Sequence, residues 1–144
     1  DQARHDMLTG ALNRKGLDEA MHRELADVRR KETPLCLALL DIDNFKKLND
    51  TLGHAAGDKA LQSLAAAVRE RLRPVDHLAR FGGEEFVVML PGTSLDEAQQ
   101  ALTRLQRALS AALFMHDEQE VFITFSAGRF RTSSNTSFIS RAYS

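Results

Sequence analysis

The sequence predicts a single α/β domain. A length of 144 residues favours one domain with a sizeable core, and a content of 43% apolar and 27% charged residues is ordinary for a globular protein. Segments with apolar residues at helical spacing alternate with short apolar runs that are typical of buried strands. This alternation indicates helices packed against a sheet.

The first predicted elements are a helix and a strand. Apolar residues recur at helical spacing between Gly16 and Arg30, which predicts an amphipathic helix. Pro34 then precedes the run LCLALLDID, which predicts a buried strand that ends at the acids Asp41 and Asp43.

Helical patterns return after this strand. Residues 44–58 predict a helical turn and a loop that is interrupted at Gly53 and Gly57. A second amphipathic helix is predicted up to Leu72, and Pro74 closes it because the residue before a proline avoids helical geometry.

The second half of the chain predicts a hairpin, a helix and a further strand. Residues 77–81 and 85–90 are predicted strands joined by a tight turn, in which glycine would supply a positive φ. Ser94 and Glu97 have the spacing of a capping box before a third helix, and residues 121–128 predict another strand.

Composition argues against several classes of protein. With 19 basic and 20 acidic residues the net charge is −1, which argues against nucleic acid as a partner. A single cysteine, Cys36, excludes an intrachain disulfide and fits a cytoplasmic domain. The longest apolar run, residues 108–115, is far shorter than the roughly 20 residues of a membrane-spanning helix. No signal peptide is recognisable, although a longer parent protein could be membrane-anchored.

Two acids suggest a metal site. Asp41 ends the first predicted strand, and Glu84 follows two glycines in the predicted hairpin turn. Mg²⁺ takes one or two carboxylates together with substrate phosphates, and Gly82 and Gly83 would let a phosphate-bearing ligand approach the backbone. The pattern indicates metal-dependent phosphoryl chemistry. The alternative is that these acids are solvated loop and turn residues.

Four stretches of the chain carry a recognisable pattern: GGEEF at 82–86, DMLTGALNR at 6–14, DIDNFKKLNDTLGHAAGD at 41–58, and RPVD at 73–76. The first resembles the signature of the GGDEF family, the diguanylate cyclases. The others are similar to the family's D-x-L-T-G-L-x-N-R, to its D-x-D-x-F-K-x-[IVL]-N-D-x-x-G-H-x-x-G-D, and to the R-x-x-D that lies five residues before the signature.

The resemblance implies a fold and a reaction. The fold would be a mostly antiparallel central sheet flanked by helices, similar to the palm-like sheet of nucleotide cyclases. The reaction would condense two GTP molecules into cyclic di-GMP and release two pyrophosphates, in a homodimer whose domains each hold one GTP and meet face to face.

The resemblance also implies a catalytic centre. Asp41, the carbonyl of Ile42 and Glu84 would hold Mg²⁺ or Mn²⁺, with one or two ions per site. Glu84 would also be the base that takes the proton of the attacking 3′-hydroxyl. Lys46 would stabilise charge in the transition state.

Further residues would bind the substrate. Asn49 and Asp58 would recognise guanine, since an amide and a carboxylate suit its acceptor and N–H edges. The resemblance implies four more substrate-binding positions: Phe45, His54, Gly82 and Gly83.

Arg73 and Asp76 would form an inhibitory site for the product. An arginine fork suits phosphate and guanine O6/N7, and an aspartate suits the guanine N–H edge. The alternative is a local ion pair at the end of a helix.

The resemblance weakens after Gly128. FISRAYS at 138–144 is similar to the start of the family's last helix, with Tyr143 where the family has aspartate. The expectation is that residues 1–144 are a GGDEF domain truncated at its C-terminus and cut from a parent with an attached sensory domain. Such a piece would be weakly active, because the basic residues of the last helix would be missing.

Two other functions remain open from the sequence. One is a non-catalytic receptor that binds cyclic di-GMP through Arg73 and Asp76, and the other is a GTP-binding regulatory module. The intact signature favours the cyclase, because such receptors usually have a degraded one.

Overall fold

The computed structural model describes residues 3–42, 44–110, 113–116, 119–122 and 125–131. Asp43 and the stretch at 138–144 lie outside the described residues. The described elements are, in chain order, α1 (Arg14–Lys31), β1 (Leu35–Ile42), α2 (Phe45–Leu52), α3 (His54–Arg71), β2 (His77–Arg80), β3 (Glu85–Pro91), α4 (Leu95–Ser110), β4 (Leu113–His116), β5 (Gln119–Phe122) and β6 (Phe125–Arg131).

The central sheet has four strands in the order β2-β3-β1-β6, and every pairing in it is antiparallel. Strands β4 and β5 form a separate two-stranded sheet. In the central sheet, Asp41 lies opposite Glu85 on one side and Ser126 on the other. The predicted mostly antiparallel central sheet is therefore confirmed.

Helices cover both faces of this sheet, also as predicted. Alternate residues of β1 point to opposite sides because side chains in a strand alternate. Cys36, Ala38 and Leu40 join the core formed with α3 and α4, whereas Leu35 and Leu37 join the core formed with α1. This two-sided burial holds β1 in place and leaves its last residues at the edge of the core.

Local signals in the sequence set the helix ends. The side chain of Asn13 accepts a hydrogen bond from the Gly16 N–H at 2.9 Å and caps α1. At the start of α4, Glu97 accepts from the Ser94 N–H at 3.0 Å while Ser94 accepts from the Glu97 N–H at 3.2 Å. The predicted capping box is thus present.

Two predictions about the elements were wrong. Gly57 does not interrupt the helical pattern but lies inside α3, and only Gly53, with a φ of 91°, separates α2 from α3. The single strand predicted at 121–128 is instead the end of β5 and the start of β6, which belong to different sheets. β5 pairs with β4, its neighbour in sequence, whereas β6 pairs with the distant strand β1.

None of the helices within the described ranges combines the length and the hydrophobicity needed to cross a bilayer.

Candidate active site

Two carboxylates meet where the end of β1 lies beside the β2–β3 turn. Asp41 is the penultimate residue of β1, and Glu84 is the last residue before β3. Burial, the charge of Asp41 and a hydrogen bond with Asp41 raise the pKa of Glu84, and the charge of Glu85 adds to the effect. The structure therefore brings together the two acids that the sequence proposed as a pair.

A third acid, Glu85, belongs to this cluster, although it was not identified as a site residue from the sequence. Glu85 opens β3 directly opposite Asp41. Burial and the charge of Asp41 raise its pKa, against the opposing effect of Arg14. The guanidinium of Arg14 also lies 4.2 Å from the ring centre of Phe81 on the other side of the turn. The position of Glu85 directly after Glu84 in the signature was the sequence feature that could have identified it as a site residue.

The turn glycines provide space rather than an unusual backbone conformation. Positive φ values occur at Gly10, Gly53 and Gly92, not at Gly82 or Gly83, so the predicted positive φ in this turn was wrong. A Cβ at Gly82 would lie 2.7 Å from Oε1 of Glu85, whereas a Cβ at Gly83 would meet nothing within 4 Å. Gly82 makes room for the Glu85 carboxylate, and Gly83 leaves the tip of the turn open.

Arg80 anchors the turn to the N-terminal segment. Its Nε and Nη2 donate to the carbonyl of Gly83 at 3.1 and 2.7 Å. Its Nη1 donates to both oxygens of Asp6 at 3.2 and 3.3 Å, and this pair is only 21% exposed on each side. No local pattern indicates this link, because Asp6 and Arg80 are 74 residues apart in the chain.

Asp6 is in turn fixed by Thr9. The Thr9 N–H and hydroxyl donate to Asp6 Oδ2 at 2.9 and 2.7 Å. Burial by itself would raise the pKa of Asp6, but these hydrogen bonds and the charge of Arg80 outweigh it and lower the pKa. The ionised carboxylate is therefore the stable form that holds Arg80.

The proposed guanine-recognising residues lie where α2 packs against α3. Asn49 is half-buried on α2, and Asp58 is exposed on α3. Gly57, the neighbour of Asp58, lies against the amide of Asn49. The Oδ1 atom of Asn49 is buried and has no hydrogen-bond partner in the part of the chain that the structure describes. A buried acceptor without a partner costs free energy and requires an explanation in the surrounding structure.

The other predicted positions are distributed around this helix pair. Ile42 has a buried side chain, so that only its backbone carbonyl could serve a ligand. Phe45 is half-buried and packs against the core formed with α3 and α4. Lys46 and His54 are exposed.

Arg73 and Asp76 are bound to each other. The Asp76 carboxylate, only 2% exposed, accepts from the backbone N–H, Nε and Nη2 of Arg73 at 2.7 to 3.1 Å. Nη2 also donates to the Pro91 carbonyl at 3.0 Å and to Thr93 Oγ1 at 2.9 Å. The hydrogen bond with Asp76 raises the pKa of Arg73. The Arg73 side chain is nevertheless 51% exposed and lies beside an apolar groove.

The acid cluster fits a hard divalent cation. No three His, Cys, Asp or Glu side chains converge as metal ligands among the residues that the structure describes. Two carboxylates suffice for Mg²⁺, however, when substrate phosphates and water complete its coordination. Burial and then like-charge crowding with Asp41 raise the pKa of Glu84, and a cation would relieve that crowding.

Comparison with known proteins places this site in a family. A family model described as diguanylate cyclase, GGDEF domain, matches residues 3–143. The chain is 50% identical to diguanylate cyclase DgcP of Pseudomonas aeruginosa over 123 residues, which are 85% of this chain and 18% of DgcP. It is 34% identical to diguanylate cyclase DosC of Escherichia coli over 124 residues, 85% of this chain and 27% of DosC. It thus spans less than a third of the length of these relatives.

Solved structures share the fold. Diguanylate cyclase SiaD of Pseudomonas aeruginosa, in complex with its activator SiaC, matches with a TM-score of 0.89 and 33% identity, over 96% of this chain and 54% of SiaD. The GGDEF domain of DgcB from Caulobacter crescentus, in complex with c-di-GMP, matches with a TM-score of 0.85 and 32% identity, over 90% of this chain and 76% of that one. These matches confirm the predicted GGDEF fold. Because the family model covers nearly the whole sequence, the chain belongs to the GGDEF domain family.

Proposed function

We propose that this domain is a diguanylate cyclase, which joins two GTP molecules into cyclic di-GMP. The observation that carries the proposal is the pair of crowded carboxylates, Asp41 and Glu84, at an open glycine turn. The names of its relatives support the same reaction.

The reaction balances without a further reactant. In each half-reaction the 3′-oxygen of one GTP forms a bond to the α-phosphorus of the other, and the bond from that phosphorus to the β-phosphate bridging oxygen breaks. Two such steps close the ring and release two pyrophosphates and two protons. The chain must therefore orient two nucleotides, neutralise phosphate charge and accept a proton.

Asp41, Glu84 and the carbonyl of Ile42 are the groups that would hold Mg²⁺ or Mn²⁺, one or two ions per site. Bound there, the metal supplies neutralisation of the triphosphate and of the leaving pyrophosphate.

Glu84 is the residue we assign to the 3′-hydroxyl proton. Burial and the charge of Asp41 raise its pKa in the absence of a cation and a bound cation would lower it again, so the assignment rests on its position at the tip of the turn. Arg80 fixes the turn by bonding the carbonyl of Gly83, the residue before Glu84. Gly83 lacks a side chain that would obstruct a nucleotide at this tip.

Recognition of GTP is assigned to α2 and α3. Asn49 and Asp58 supply an amide and a carboxylate for the polar edges of guanine, and Phe45 and His54 line the same helix pair. Lys46 would stabilise charge on the reacting phosphates.

Product inhibition is a further part of the proposal. Asp76 is buried and fully engaged, so that the product would meet the exposed face of Arg73 while Asp76 holds the guanidinium in place. The expected partners are GTP, cyclic di-GMP and a second copy of the domain, in the cytoplasm and under the control of an attached sensory domain.

Incubation with GTP and Mg²⁺, followed by chromatography of the nucleotides, tests the function. Cyclic di-GMP should form, and its rate should rise more steeply than the protein concentration because two loaded domains must meet. Binding of cyclic di-GMP without synthesis at any concentration would indicate the receptor instead. Binding of GTP with neither synthesis nor binding of cyclic di-GMP would indicate a GTP-binding regulatory module.

A further inference from the structure

Gly57 is a glycine at a position where local structure favours alanine. It is buried near the start of α3 in the run HAAGDKA, whose other small residues are alanines. Glycine is the poorer choice in a helix because it loses more backbone entropy on folding. The φ of Gly57 is not positive, so that the backbone does not require glycine either.

The space that a side chain would need at Gly57 is filled by Asn49. A Cβ there would overlap Oδ1 of Asn49, and it would lie 2.9 Å from Cγ of Asn49 and 3.3 Å from Cζ of Phe45. The overlap is far inside the distance at which atoms can touch. The amide of Asn49 therefore packs directly against the α-carbon of Gly57.

Packing, rather than hydrogen bonding, fixes the oxygen of this amide. Oδ1 is buried without a hydrogen-bond partner among the residues described in the structure. The backbone of Asn49 is held at the end of α2, where its carbonyl accepts the Gly53 N–H at 2.8 Å. With the backbone fixed, any group added at Gly57 would have to displace the side chain of Asn49.

We propose that Gly57 is a positioning residue for base recognition, because its missing side chain forms the recess that holds the Asn49 amide. The inference rests on the proposed role of Asn49 in binding guanine. Gly57→Ala would move the amide out of this recess and away from the base. Because a hydrogen bond lost at such a site weakens affinity about tenfold or more, GTP binding should fall while ATP binding changes little.

A double-mutant cycle tests the packing without any nucleotide. Thermal unfolding is measured for wild type, Gly57→Ala, Asn49→Ala and the double variant. Gly57→Ala should lower the melting temperature by several degrees although alanine is the better helix former. In the Asn49→Ala background the same change should be neutral or stabilising, because the overlap is gone. If Gly57→Ala fails to fold, the double variant should still fold.

Calorimetry with GTP and with ATP, each with Mg²⁺, tests the consequence for recognition. Gly57→Ala should reduce the GTP-over-ATP preference at least about tenfold. Gly16→Ala is the matched control, because a Cβ at this other helical glycine would overlap the Arg4 carbonyl, away from α2. It should lower stability and leave the base preference unchanged.

The outcomes separate this inference from the function on which it rests. Wild-type preference for GTP that persists in Gly57→Ala would overturn the inference and leave the cyclase proposal standing. Equal binding of GTP and ATP by the wild type would overturn the guanine assignment and the inference with it. A purely additive stability cycle would also overturn the inference, because it would show that Gly57 does not act through Asn49.

Discussion

Arg80→Lys removes the fork that joins the signature turn to the N-terminal segment. The lysine keeps the positive charge, but its ammonium cannot donate to Asp6 and to the Gly83 carbonyl in the geometry of a guanidinium. In the wild type, Arg80 makes two hydrogen bonds to each of these groups. We therefore expect the turn to lose its anchor while the charge of the region stays the same.

The expected magnitude follows from burial. A hydrogen bond to a charged group contributes about 1.5–3 kcal/mol, but Gly83 is exposed, and lysine retains part of the attraction to Asp6. We expect Arg80→Lys to lower the free energy of unfolding by about 1–2 kcal/mol. For a domain of this size this is a fall in melting temperature of roughly 3–7 °C. Because Glu84 follows Gly83 directly, a misplaced turn should also reduce synthesis by about 10- to 100-fold.

Denaturation and turnover of GTP, measured on the same preparations, check both parts. Arg30→Lys is the control, because Arg30 is 73% exposed on α1 and pairs only with Asp27 among its described contacts. Arg30→Lys should leave both the stability and the rate of synthesis unchanged. An Arg80→Lys variant with wild-type stability and wild-type synthesis would refute the view that Arg80 holds the turn.

Three further predictions concern other parts of the molecule. Arg73→Ala should weaken cyclic di-GMP binding by about 1.5–3 kcal/mol while synthesis continues, and an unchanged Kd in calorimetry would reduce Arg73 to a structural ion pair. Asn49→Ala should lower the GTP-over-ATP preference by about tenfold, and a preference equal to that of the wild type would contradict its role. The pKa of Asp6 is lowered on folding, so that its ionised form stabilises the protein above its unfolded pKa of about 4. The stability difference between wild type and Asp6→Asn should disappear as the pH falls through the lower folded pKa, and a constant difference in denaturant unfolding would contradict it.

The elements were predictable where local chemistry determines them. Asn13 and the Ser94–Glu97 pair mark helix starts through hydrogen bonds that span three residues. The prediction that Gly57 interrupts the helix was wrong because it treated this glycine as a helix breaker, whereas its missing side chain leaves space for Asn49 on the adjacent helix α2. Residues 121–128 were predicted as one strand because the local pattern does not show that residues 121–122 pair with β4 and residues 125–128 with the distant strand β1.

The candidate site was predictable only where local patterns identify its residues. Asp41 and Glu84 could be paired because one ends a strand and the other lies in a hairpin turn. The partnership of Asp6 with Arg80 depends on the tertiary fold and has no local pattern. The positive φ predicted for the turn was wrong because a glycine in a turn can supply φ freedom or space, and the sequence does not distinguish these uses.

The most direct test of the proposed function is cyclic di-GMP formation by Glu84→Gln. This change removes one charge from the acid pair and keeps the shape of the side chain. We expect synthesis from GTP and Mg²⁺ to fall by at least about 10²-fold, as on loss of a key electrostatic group. Glu70→Gln, at a glutamate 76% exposed on α3, is the control and should be active. Synthesis by Glu84→Gln at the wild-type rate would contradict the assignment of the acid pair as the catalytic centre.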